Sequence, residues 1–163
     1  MKHTFASCLL LCTLAPRVLA AQPDFECQVS PPTLDKQALL RQKGVQSVSL
    51  SPDKRNGVLL MRHGRAVYIR HIGCADLAFS VSTWLDEVPG TRSQQLNAAK
   101  RLGILGLGRY LPSDLRWHPS EFERNTDPSE GLKLQHRELN LQVYFILQGD
   151  GTYVLHMVYS PES

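Results

Sequence analysis

Apolar positions recur every second residue in Val58–Arg62, Arg65–Ile72, Leu139–Leu147 and Tyr153–Tyr159. A period of two sends alternate side chains to opposite faces of a strand, whereas a 3.6-residue period lays an apolar stripe along a helix. Val45, Val48 and Leu50 lead into Ser51-Pro52-Asp53-Lys54-Arg55-Asn56-Gly57, a stretch dense in turn formers, and His63-Gly64 marks a tight turn. Val45–Leu50, Val58–Arg62 and Arg65–Ile72 therefore predict a three-stranded antiparallel meander. Gln148-Gly149-Asp150-Gly151 joins the last two alternating runs into a C-terminal hairpin.

Other segments follow the helical period. Leu34, Ala38 and Leu39 predict a short amphipathic helix that starts at Thr33 and stops at Gly44. Leu77, Val81, Trp84 and Leu85 stand at i, i+4, i+7 and i+8, the spacing of a helical stripe, which Pro89-Gly90 would end. Thr91 or Ser93 caps a further helix carrying Leu96, Ala99, Leu102 and Leu105. Phe25–Val29 reads as a short strand. Residues 110–131 show neither period, and Pro112, Pro119 and Pro128 punctuate them, so a long irregular loop is expected. The fold class predicted is α+β: a mainly antiparallel sheet, the three-stranded meander plus the C-terminal hairpin, with two or three helices packed on one face. The sequence shows no internal repeat, linker or low-complexity segment.

The first residues carry a different message. Lys2 and His3 precede an apolar run from Phe5 to Ala15, which Pro16-Arg17 breaks, and Val18-Leu19-Ala20 offers small residues at −3 and −1. This is the pattern of a signal peptide cut after Ala20, leaving a single domain over 21–163. The run falls short of the roughly 20 apolar residues of a membrane span, so no stable membrane anchor is expected. Cys8 has too few residues before it for a lipid-attachment signal, and Cys12 follows Leu11 where a small residue is needed. The expected location is the periplasm of a Gram-negative-type envelope.

Cleavage changes both the charge and the cysteine count. Losing Lys2 and Arg17 lowers the net charge from +3 to +1, which removes the electrostatic case for a nucleic-acid partner. Only Cys27 and Cys74 remain, and in an oxidising compartment they are expected to form a disulfide.

The sequence contains no G-x-S-x-G elbow and no H-E-x-x-H. Gly103-Ile104-Leu105-Gly106-Leu107-Gly108 reverses the dinucleotide spacing and closes a helix, so it reads as close packing rather than a phosphate cradle. His63, His71, His118, His136 and His156 stand at no recognised ligand spacing. No catalytic, cofactor or metal residue is assigned, and no cofactor is expected.

Charge is the more informative feature. Arg41, Lys43, Lys54, Arg55, Arg62, Arg65 and Arg70 are opposed only by Asp53 over the meander, whereas the 110–131 segment is acidic and holds Trp117 and Phe122. Arg62, Arg65 and Arg70, with Trp117, Glu121, Phe122 and Glu123, are the expected partner-binding residues, and Glu121–Glu130 the contact tip. In size, signal peptide and disulfide the layout resembles small periplasmic inhibitor and immunity proteins; the likeness carries no motif and assigns no residue. The function expected is a non-enzymatic binding protein that inhibits or neutralises a protein partner in the envelope. The alternative is a small envelope hydrolase or ligand carrier with a pocket between sheet and helices, gathering His71, Asp76 and an adjacent Ser or Tyr, with Ser80 and Ser82 near in the chain.

Overall fold

The structure, a computed structural model, describes residues 30–73, 76–127 and 131–161. The expected signal peptide, the expected strand at 25–29, Cys27 and Cys74 with the disulfide expected between them, and the end of the acidic tip at 128–130 lie outside the described residues. In chain order the elements are α1 (Lys36–Leu40), β1 (Val45–Leu50), β2 (Asn56–Met61), β3 (Ala66–Gly73), β4 (Leu77–Leu85), α2 (Arg92–Leu107), a 3-10 turn (Pro119–Glu121), β5 (Phe122–Asp127), β6 (Gly131–His136), β7 (Leu141–Leu147) and β8 (Tyr153–Tyr159).

All eight strands form one antiparallel sheet in the order β1-β2-β3-β4-β8-β7-β6-β5. Each half of the chain is a helix followed by a four-stranded meander, and the final strands of the two meanders, β4 and β8, pair at the centre with Val81 opposite Met157. The topology therefore repeats although the sequence does not. Burial of one face alone suffices to specify such strands, so two meanders can share a plan without sharing residues.

One face of the sheet is the core. Val48, Leu59, Val67, Thr83, Leu155, Phe145 and Leu132 are register neighbours across seven strands, and all are buried. Helix α2 lies on this face over β4, burying Leu96, Ala99, Leu102 and Leu107. Each fully buried side chain of this size contributes about 1.5–3 kcal/mol. Thr91 caps α2: its hydroxyl accepts from the Gln94 amide at 3.2 Å, while Gln94 Oε1 accepts from the Thr91 amide at 3.0 Å. The five-residue α1 packs on β1 and is capped by Asp35, two residues later than Thr33. Backbone amides of Ala38 and Gln37 hold the Asp35 carboxyl below its ordinary range.

The sheet is wider than the sequence predicts, in two places. Leu77–Leu85 is a strand, not a helix. It pairs with β3 on one side and β8 on the other, and Phe79, Val81 and Thr83 enter the core at a period of two. Its β-branched and aromatic content suits a pleated strand better than a helix. The segment expected as a long loop contains β5 and leads into β6, which pair as a hairpin with Phe122 opposite His136. Irregular chain is thereby confined to 108–118 between α2 and the 3-10 turn.

Candidate binding face

The second face of the sheet carries no helix among the described residues. It nevertheless holds most of the large apolar side chains that the protein leaves in water. Val58 and Leu60 on β2, Tyr68 and Ile72 on β3 and Trp84 on β4 are 38–47% exposed and all point to this side. Scattered exposed hydrophobics are ordinary, and what sets these apart is that all five share one face of the sheet.

The strand register assembles these residues. Ser49, Val58, Tyr68, Ser82, His156, Tyr144, Lys133 and Asn125 follow one another across all eight strands on the open side. On the central strand β4 the small side chains Ala78, Ser80 and Ser82 lie between Tyr68 and Arg70 on β3 and His156 and Val158 on β8, and Trp84 follows Ser82 on the same side. Lys133 Nζ stands 5.4 Å from the centre of the Tyr144 ring, a cation–π contact, and the Tyr144 hydroxyl donates to Gln142 Oε1. Tyr144 and His156 rings lie 6.2 Å apart. Burial holds the His156 imidazole below its ordinary pKa, so at neutral pH the ring is an uncharged donor and acceptor.

Strand edges are guarded, unlike the face. β1 is irregular between Val45 and Ser47, and β5 presents Glu123 and Arg124 to solvent. Both devices discourage addition of a further strand.

The expected partner residues do not gather into one patch. Arg70 and Glu123 do lie on the open face, in one transverse row through Ser80, Val158, Gln142 and Gln135. Five strand spacings, about 24 Å, separate them. Arg62 and Arg65 flank the exposed β2–β3 turn, and Arg65 pairs with Asp86 at 3.2 Å. Phe122 is wholly buried, and Trp117 is half-buried and stacked on it with ring centres 5.8 Å apart. Glu121 ends the 3-10 turn beside them. Charge and exposure could be read from the sequence, but this face depends on the register of strands far apart in the chain. Its one local signal was the set of apolar or aromatic residues at alternate positions opposite the core, such as Val58, Leu60 and Tyr68.

The proposed His71 pocket is divided by the pleat. His71 points into the core, edge-on to Phe79 and Tyr110 at 5.0 Å each, while Ser80 and Ser82 point to the open side and Asp76 is exposed. Its Nδ1 lies 2.6 Å from the Pro32 carbonyl, which can only accept, so Nδ1 carries the proton. Nε2 has no hydrogen-bond partner among the described residues. Ser82 and His156 are register partners, and burial alone, not a hydrogen bond, shifts the His156 ring. Among the described residues no group of three or more His, Cys, Asp or Glu is placed to hold a metal ion, and no helix is long and apolar enough to cross a membrane. No protein-family model, curated protein or solved structure matches this chain.

Proposed function

We propose that this is an exported periplasmic binding protein that inhibits or neutralises another envelope protein by seating it on the open face of its sheet. The observation that carries the reading is the transverse row Val58–Tyr68–Ser82–His156–Tyr144, exposed or half-buried on a face that carries no helix among the described residues. Amphipathic aromatics such as Tyr68, Tyr144 and Trp84 are among the side chains that dominate binding energy at protein interfaces. An eight-stranded sheet braced by a core on its other side holds them rigidly, which lowers the ordering cost of association.

The charge of the face specifies the partner's chemistry. Arg70 and Lys133 are cations of this face; Glu123 lies five strands from Arg70, on the edge strand β5 next to the strand that carries Lys133. The complementary element is a protruding loop with an acidic side chain next to an apolar one. Such a loop would lay its apolar group between Tyr68 and Tyr144 and its carboxylate toward Arg70. The 110–131 segment then serves as scaffold, through Trp117 and Phe122, rather than as the contact element.

Affinity capture tests the proposal. Immobilised wild-type protein should retain a discrete partner from envelope extract, and Trp84→Asp should lose it without a change in melting temperature. Equal retention by both proteins would contradict the reading.

A further inference from the structure

On the helix-covered side of the sheet, away from the open face, a groove of about 390 Å³ runs between α2 and the strands β2 to β4. It exists because α1 is short and packs on β1, while α2 sits chiefly over β4, which leaves a gap above β2 and β3. Met61, Val67 and Leu85 of the strands and Leu102 and Leu105 of α2 give it apolar walls, with Leu155 below. Thr83 also reaches the groove, but its hydroxyl already donates to the Ala66 carbonyl at 2.8 Å.

The rim has the opposite character. Lys43, His63, Arg65 and Arg101 line it, and no acid does. Arg65 is paired with Asp86, yet that carboxylate is 92% exposed and solvent weakens the pair. Lys43 and Arg101 form no ion pair among the described residues. An apolar slot of ligand size with a one-signed rim has a definite complement.

The geometry points to this groove as a binding site for a single-chain anionic amphiphile, a free fatty acid. The alkyl chain lies along Met61, Leu102 and Leu105, and the carboxylate is held among Lys43, Arg65 and Arg101. A groove of about 390 Å³ between a helix and a sheet has room for one alkyl chain but not for a bilayer surface, which favours the free acid over a lipid still in its membrane. The site is separate from the open face, so it stands or falls independently of partner capture there.

Calorimetric titration of the purified protein with laurate below its micellar concentration is the test. The expected result is saturable one-to-one binding, weakened about tenfold by Lys43→Gln or Arg101→Gln, the loss of one charge-assisted contact. Ala98→Trp, whose indole fills the groove, should abolish it, and dodecyltrimethylammonium should not bind. Should Ala98→Trp fail to fold, the Lys43→Gln/Arg101→Gln variant decides the matter, since both side chains are exposed. Failure of wild type to bind laurate overturns the proposal, whether another part of the chain or a second copy fills the groove. Equal uptake of the cationic amphiphile, or attachment to phosphatidylglycerol vesicles without binding of free laurate, overturns it too.

Discussion

Gly106 of α2 approaches Val81 of β4 so closely that a Cβ on the glycine would lie 2.4 Å from Val81 Cγ2. This contact sets the height of the helix over the central strand, and it explains a glycine inside a helix where alanine has the better propensity. Val81 is wholly buried between β3 and β8 and cannot move aside. Gly106→Ala should therefore destabilise the protein by about 1–3 kcal/mol, as overpacking does. Gly103→Ala should cost less, because its nearest neighbour is the flexible end of Met157 at 2.8 Å. Urea denaturation of the two variants checks the order, and a stabilising Gly106→Ala would contradict it.

Phe122 and Trp117 separate scaffold from contact surface. Phe122→Ala empties a fully buried site on β5 and should cost about 3–5 kcal/mol. Trp117 is half-buried, so Trp117→Ala should cost clearly less. Neither variant, while folded, should change affinity for the partner. A Trp117→Ala protein of normal stability that no longer binds would return the contact surface to the 110–131 segment.

Acid should weaken the fold through two histidines. Burial holds His71 below the ordinary value of 6.5, the hydrogen bond to Pro32 works in the opposite sense, and nearby Arg109 adds to the lowering. His156 is lowered by burial as well. The unfolded chain takes up both protons near pH 6.5 and the folded chain resists them, so unfolding binds protons. Stability is thus complete above about pH 6.5 and declines as pH falls toward the lowered folded values. The melting temperature should drop between pH 7.5 and 5, and His156→Gln should flatten part of that slope. A melting temperature constant or rising toward pH 5 would contradict the sign.

Legibility in the sequence followed burial geometry. β2, β3, β7 and β8 each bury one face in the core, and their alternation was plain. β4 misled because Leu77, Val81, Trp84 and Leu85 satisfy a helical period while Phe79, Val81 and Thr83 satisfy the strand period that the pairing enforces. β5 has Phe122 as its only large apolar residue, since an edge strand needs little more to be held by pairing with β6. The open face was the least legible part. Tyr68, His156 and Tyr144 lie on three strands from both halves of the chain, and only the β4–β8 pairing makes them neighbours.

The central claim is that the open sheet face holds a partner protein, and site-specific photo-cross-linking in intact envelopes tests it most directly. A benzoylphenylalanine placed at Tyr68 or Trp84 sits on that face, and one at Ile104, which is 55% exposed, sits on the outer side of α2. Irradiation should give the same discrete adduct with a second protein from positions 68 and 84 and none from position 104. Adducts from position 104 alone, adducts containing only this chain, or none from positions 68 and 84 would contradict the claim.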